Sequence, residues 1–358
     1  MTALKGRGAP SNTESNRFSL PRREADGDWL DRIETDEDEE PPPLRTTVTQ
    51  EKARTIISRN QSPDVGFDQS INAYRGCEHG CVYCFARPTH AYLGLSPGLD
   101  FESKLFVKPD APALLEKELA AAEYEPKMIA IGTNTDPYQP IERERQIMRG
   151  ILEVLEAAGH PVGIVTKSAL VVRDIDILAR MAKRNLVKVA LSVTSLDPKL
   201  ARTMEPRAST PPKRLEALRQ LSEAGIPTSV LVAPVIPALN DSEIERILDA
   251  SAHAGVKEAS YVLLRLPLEV RDLFREWLMA NYPDRYRHVF TLIREMRQGR
   301  DYDSQWGTRM KGTGPMAWMI GRRFEVACAK LGLNKKRTKL TLDHFAKPAG
   351  AGQQLNLF

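Results

Sequence analysis

Three cysteines within eight residues constrain this chain more than any other feature. The run is Cys77-Glu78-His79-Gly80-Cys81-Val82-Tyr83-Cys84, spaced Cys-x3-Cys-x2-Cys, and the one other cysteine is Cys328. Thiols at this spacing cannot all lie on a regular strand or on one helical face. They mark a loop that wraps a single centre. Soft thiolates select iron–sulfur clusters, zinc or Cu(I). A 4Fe-4S cluster ordinarily takes four thiolates, so three would leave one iron open to a small molecule. A Cys3His zinc site completed by His79 or His90 is the other reading, although the sequence lacks the second Cys/His pair of the common zinc modules. Four cysteines in a long chain with no secretion signal argue against a disulfide framework.

The neighbouring runs carry a resemblance. Ser62-Pro63-Asp64 and Ser70-Ile71-Asn72-Ala73-Tyr74-Arg75-Gly76 precede the first cysteine, and Tyr83 stands before the third. Phe85-Ala86-Arg87-Pro88-Thr89-His90 and Asn134-Thr135-Asp136-Pro137-Tyr138-Gln139-Pro140 follow. On these residues the chain resembles the radical S-adenosylmethionine (SAM) superfamily, in the branch that contains spore photoproduct lyase. The resemblance implies a 4Fe-4S cluster on Cys77, Cys81 and Cys84, with SAM chelating the fourth iron through its amino and carboxylate groups. It implies reductive cleavage of SAM to a 5′-deoxyadenosyl radical that abstracts hydrogen from a substrate, and an electron donor such as flavodoxin or ferredoxin. Through the lyase it implies a DNA substrate and a repair-like role. That branch also implies a hydrogen-donating cysteine outside the motif. The one such thiol is Cys328, in the apolar helical run Phe324 to Leu331, a setting for an inert buried cysteine at a position that does not match the donor. Tyr74, Tyr138 and Tyr261 are alternative radical quenchers, and nothing in the sequence selects among them.

Apolar residues at 42% against 27% charged describe a globular chain rather than a disordered one. The formal charge of +4 is compatible with a nucleic-acid partner without requiring one. No run of about 18 apolar residues offers a membrane span. Met1 to Arg7 has Lys5 and Arg7 but no apolar core after them, unlike a signal peptide. The expected compartment is the cytoplasm.

Residues 1–60 are polar, contain the acidic run Asp36 to Glu40 followed by Pro41-Pro42-Pro43, and are expected to be disordered. From Phe67 the pattern changes. A strand over Phe67 to Tyr74 leads into the cysteine loop, and a helix over Ala113 to Glu123 follows Asp110 and Pro112. Strands are expected at 128–132, 162–166, 186–193, 228–232 and 259–264. Helices are expected at 142–159, 175–184, 212–224 and 242–254. This alternation predicts an α/β fold with a parallel sheet and right-handed crossovers. Periodicity leaves an open sheet and a barrel both standing; the resemblance implies the partial (β/α)6 barrel. Helical runs at 269–280, 284–297 and 316–331 read as a C-terminal helical extension. The expected organisation is thus a disordered segment over 1–60, a radical SAM partial barrel over 61–267, the extension over 268–346 and a flexible tail over 347–358.

In a parallel α/β barrel, ligands bind at the carboxyl ends of the strands. Thr133, Asn134, Thr135 and Asp136 follow the second strand, where the resemblance implies contacts to the amino group of SAM; Asp136 could equally cap the next helix. Lys167 and Ser168 end the third strand. Ser192 and Thr194 end the fourth, where hydroxyls suit a ribose. Glu205 and Arg207 follow, one of them a partner for the SAM carboxylate. The resemblance implies that Tyr83 lies over the adenine side; its bare reading is an aromatic that shields the cluster. No catalytic residue beyond these is identified.

The last five residues, Gln354-Leu355-Asn356-Leu357-Phe358, resemble the bacterial sliding-clamp-binding pentapeptide. They follow a Gly/Ala linker, and Gln354, Leu355, Leu357 and Phe358 would supply the contacts. Two other readings stand beside the radical enzyme on DNA: a zinc-stabilised nucleic-acid-binding module, and a radical SAM enzyme that modifies protein or RNA.

Overall fold

The structure, a computed structural model, describes residues 6–18 and 44–349. Among the described residues there are ten strands: β1 (Thr47–Gln50), β2 (Ile57–Arg59), β3 (Gln69–Ile71), β4 (Tyr74–Arg75), β5 (Lys104–Val107), β6 (Ile129–Ile131), β7 (Val162–Thr166), β8 (Val187–Ser192), β9 (Thr228–Val235) and β10 (Glu258–Leu263). Seven of them form one sheet in the order β10-β9-β8-β7-β6-β3-β2. Its first six are parallel neighbours, and β2 pairs antiparallel with β3 at the edge. Parallel strands must be covered on both faces, which is why Ile129, Ile131, Val162, Ile164, Val187 and Val189 are all buried. Amphipathic helices Ile147–Ala157, Ile175–Lys183, Pro211–Glu223 and Ile244–His253 cross between the strands and turn their apolar faces to the core. This is the expected partial (β/α)6 barrel, with helices Val270–Asn281, Tyr286–Glu295 and Gly314–Leu331 as its C-terminal extension.

The sheet keeps two edges, β10 and β2, and one loop joins them. The Leu263 amide of β10 donates to the Met310 carbonyl at 2.9 Å. On the same loop, Gly307 N donates to Asp64 Oδ1 at 2.6 Å and Arg309 pairs with Asp64 and Ser62. Those two residues sit in the β2–β3 connection.

Several elements differ from the periodicity. The helix expected over 142–159 is two helices, Glu142–Arg145 and Ile147–Ala157, broken at Gln146 with φ 50°. The buried Glu142 carboxylate accepts from Ile147 N at 3.2 Å and Met148 N at 3.0 Å, so it starts the second helix with its own side chain. The strand expected over 67–74 is divided: β3 joins the main sheet, while β4 pairs with β5 in a small sheet β1-β5-β4. Helices Leu99–Ser103 and Pro198–Met204 have no counterpart in the pattern because both are too short for a periodic signal.

Within the first sixty residues two stretches are described, and both pack on the body. Arg7, Gly8 and Ala9 are buried, and β1 and β2 join the two sheets. Composition could not signal this order, because it comes from long-range contacts. At the other end, Phe345 packs on Tyr124 and His160, and Ala346 N donates to Ala158 O at 2.9 Å. Lys347 Nζ donates to Ala121 O at 2.8 Å and to Ala122 O at 2.5 Å. The clamp-like peptide 354–358 lies outside the described residues. Among those described, no helix is long and apolar enough to cross a membrane.

Candidate metal centre and cosubstrate rim

The cysteine loop leaves β4 and lies over the carboxyl ends of the parallel strands. Cys81 and Tyr83 pack with Leu200 and Met204 beyond β8, Ile236 and Leu239 beyond β9, and Leu264 and Leu266 beyond β10. Cys77 and Cys81 are buried and Cys84 is partly buried. Backbone bonds fix the turns: Cys77 N to Phe101 O at 2.9 Å, Gly80 N to Cys77 O at 3.3 Å and Cys84 N to Cys81 O at 3.1 Å. Gly80 has φ 67°, and a Cβ there would lie 2.7 Å from Glu102 Oε2, so a side chain would meet both strain and a buried carboxylate.

Two side chains outside the motif hold the loop. Arg87 is fully buried and uses the whole guanidinium fork. Nε donates to Cys81 O at 2.9 Å, Nη1 to Pro97 O at 3.0 Å and Gly98 O at 2.8 Å, and Nη2 to Gly80 O at 3.1 Å and Glu102 Oε1 at 2.5 Å. Gln139, also fully buried, accepts from Glu78 N at 2.9 Å and donates to Gly76 O at 3.3 Å. In the sequence Arg87 and Gln139 stand only as members of motif runs, His79 only as a possible zinc ligand, and Glu102 carries no signal at all. An arginine, a glutamate and a glutamine without periodicity carry no role until the fold supplies their partners.

Asp136 joins the ends of β6 and β7. Its carboxylate accepts from Thr166 Oγ1 at 2.6 Å, Lys167 N at 2.7 Å and Tyr138 N at 2.9 Å, and His79 Nδ1 lies 3.4 Å away. Burial alone would raise its pKa, but His79 and these hydrogen bonds overcome that and hold it at about 2. The following helix, Glu142–Arg145, has Ile141 at its N-cap and no side-chain cap.

Beyond β8 a buried charge network meets the loop from below. The Glu205 carboxylate accepts from the Tyr83 hydroxyl, the Arg214 guanidinium and Thr194 Oγ1, the last at 2.7 Å. Arg214 also donates to Ser192 O at 2.9 Å and Ser209 O at 2.6 Å. Burial works against the charge on Glu205, yet Arg214, Lys167 and the two hydroxyls keep it below the usual carboxylate range. Lys167 Nζ sits 5.8 Å from the centre of the Tyr83 ring. Burial works against its charge, but Cys81 and Glu205 raise its pKa.

Tyr83, Asp136, Lys167, Thr194 and Ser192 are therefore gathered around the cysteine loop. Other expected contacts are engaged elsewhere or exposed. Thr135 Oγ1 donates to Tyr74 O at 3.0 Å, and Ser168 Oγ accepts from Leu170 N at 3.2 Å as a cap. Thr133 meets Asn72 at 3.3 Å, and Asn134 is exposed with its amide on Asn72 Oδ1 at 3.1 Å. Arg207 pairs with Glu78 at 2.9 Å, beside Thr46 on the outer side of the loop. Tyr74 and Tyr138 direct their hydroxyls to Glu142 and Asp174. Cys328 lies on helix Gly314–Leu331, in the outer layer, where burial pushes its thiol up to about 11.

Among the described residues, no three His, Cys, Asp or Glu side chains converge as ligands of one ion. A 4Fe-4S cluster makes a different demand, since each thiolate takes its own iron. Three soft donors on one loop, packed among apolar side chains, fit that demand.

Comparison with known proteins places this geometry. The model of the Radical SAM superfamily matches residues 71–250, half of the chain. An uncharacterized protein of Mycobacterium tuberculosis is 40% identical over 229 residues, 63% of this chain and 67% of that protein. An uncharacterized protein of Methanocaldococcus jannaschii is 28% identical over 238 residues, 66% of this chain and 85% of that one. Among solved structures, a spore photoproduct lyase variant superposes with a TM-score of 0.57 at 17% identity, covering 80% of each chain. The same lyase complexed with dinucleoside spore photoproduct gives 0.55 at 16%, again over 80% of each. At such identity the likeness is one of fold.

Proposed function

Because the chain belongs to the radical SAM superfamily, we propose that it cleaves SAM reductively at a 4Fe-4S cluster held by Cys77, Cys81 and Cys84. The observation that carries this reading is the loop itself: Cys81 and Cys84 pack over the segments beyond β8, β9 and β10, and Cys77 packs beside Cys84 with Ala86 and Phe101. When bound, the cluster would supply one electron to the sulfonium, giving methionine and a 5′-deoxyadenosyl radical that abstracts hydrogen from the substrate. The protein's part is to bind and to orient. Arg87 and Gln139 hold the loop that carries the ligands. Asp136 and Lys167 offer one negative and one positive group at neighbouring strand ends, the pattern a zwitterionic amino-acid moiety requires. Tyr83, fixed by Glu205, covers the loop on the side of Lys167. A flavodoxin- or ferredoxin-like carrier would deliver the electron.

Anaerobic reconstitution tests the reading. The chain should take up iron and sulfide, show broad visible absorbance that bleaches on reduction, and release 5′-deoxyadenosine from SAM. Serine at any of the three cysteines should abolish all three. Tight zinc in place of iron would sink the proposal.

For the substrate we infer damaged DNA. Support comes from the shared fold with a lyase solved with a dinucleoside photoproduct and from the net positive charge. 5′-Deoxyadenosine release that rises with irradiated DNA, and not with undamaged DNA, RNA or protein, is the expected result. The tail residues Gln354, Leu355, Leu357 and Phe358 would recruit the sliding clamp, and deletion of 354–358 should remove clamp affinity without changing SAM cleavage.

A further inference from the structure

Residues 7–9 thread against the back of the cysteine loop. Gly8 N and Ala9 N both donate to the fully buried Glu102 carboxylate, at 2.9 Å and 2.8 Å. Arg7 Nη1 donates to Glu102 O at 2.7 Å, and its Nη2 to Leu44 O at 2.5 Å. Glu102 is the same carboxylate that anchors Arg87, which in turn holds the carbonyls of Gly80 and Cys81. Contact with the loop is also direct. A Cβ on Gly8 would fall 1.7 Å from the Gly80 carbonyl oxygen, so the two backbones touch where only glycine fits.

The segment then continues across the molecule. The Asn12 side chain brackets Asp100, accepting from its amide at 2.9 Å and donating to its carboxylate at 3.1 Å. Thr13 O accepts from Ser96 Oγ at 2.7 Å. Arg17 pairs with Glu269 at 2.6 Å, donates to Pro88 O at 2.8 Å, and lies over the rings of Phe18 and Tyr92. Glu269 immediately precedes the first helix of the C-terminal extension. Residues 7–17 thus tie the cysteine loop to the start of the C-terminal extension.

We propose that this N-terminal strap is a working part of the metal centre: residues 7–9 complete the Glu102–Arg87 anchor and keep solvent and oxygen from the outer face of the cysteine loop. The inference rests on the cluster reading above. Without the strap, Glu102 loses two backbone donors while Arg87 stays, and an under-satisfied buried carboxylate draws in water. Gly80, now uncovered, opens the loop next to Cys81. Residues 7–9 are a positioning element, since their bonds run to Glu102, Leu44 and Thr46 rather than to a cysteine thiol.

The test compares the full chain with Gly8→Val and with a chain lacking residues 1–12, each reconstituted anaerobically. Cluster bleaching by a chelator and by air should run about tenfold faster in both variants, the factor that about 1.4 kcal/mol corresponds to, with the thermal midpoint of the barrel nearly unchanged. Bleaching at the rate of the full chain overturns the proposal. So does a fall in midpoint large enough to account for the faster bleaching by global unfolding. Hydrogen exchange on the metal-free chains separates this idea from the cluster reading. Faster exchange at the Gly80 and Cys84 amides in the variants supports the strap even if the full chain takes up no iron, and unchanged exchange overturns it.

Discussion

Tyr83 and Glu205 lie 122 residues apart and share a hydrogen bond in the buried interior. The bond ties the metal-binding loop to the segment after β8, and the same carboxylate neutralises Arg214, whose side chain is 2% exposed. Glu205→Gln leaves that guanidinium buried without a counter-charge, and about 3–5 kcal/mol of stability should be lost. Tyr83→Phe removes one donor and should cost about 1 kcal/mol. Equilibrium urea denaturation of the two variants should show this order; equal effects would mean that the ion pair is not the dominant contact.

Arg87→Lys is not conservative here. Lysine has three donors around one nitrogen, whereas Arg87 serves four carbonyls and a carboxylate through a planar fork. The variant should fold with a cost of about 3 kcal/mol and bind far less iron than the parent chain. Iron content measured beside far-UV circular dichroism checks both parts.

His160 gives the fold a sensitivity to acid away from the metal centre. It is fully buried, with Nε2 2.8 Å from the Tyr124 hydroxyl and Nδ1 3.1 Å from Pro161 O. Burial lowers its pKa to about 4. The folded state therefore prefers the neutral ring, and the unfolded chain takes up a proton first. Stability should be full above the ordinary histidine range and fall as pH drops from about 6.5 toward 4, by about 3 kcal/mol in all. His160→Gln should flatten that part of the stability–pH curve, read by urea midpoints at several pH values.

Cys328→Ala should leave iron uptake and 5′-deoxyadenosine release unchanged and cost about 1 kcal/mol. The thiol packs within the final helix, in the outer layer, near Asn334 Nδ2 at 3.8 Å. A loss of turnover without a loss of stability would instead make it a hydrogen donor.

What could be read from the sequence follows from the range of each signal. The spacing Cys77-x3-Cys81-x2-Cys84 and the run Val162 to Thr166 are local patterns, and the strand limits at 162–166 agree with the structure residue for residue. The break at Gln146 was hidden because the apolar recurrence Ile147, Ile151, Val154, Leu155 continues a helical pattern; the interruption comes from Glu142 capping through space. Residues 7–9 read as disordered because their order depends on Glu102, nearly a hundred positions away. Rim residues can be read from the sequence as strand ends, but which hydroxyls face the loop depends on competing partners. Ser168 caps a turn and Thr194 serves Glu205, and no spacing rule separates two such hydroxyls.

The anchoring of residues 344–347 has one further consequence. Ala158, Gly159 and His160 precede β7, so Ala346 is pinned at the amino ends of the strands, the floor of the barrel, while Cys77 to Cys84 crown its opposite end. The described contacts of residues 344–347 thus all lie at the end of the barrel away from the cysteine loop, and leave the mouth uncovered from that side.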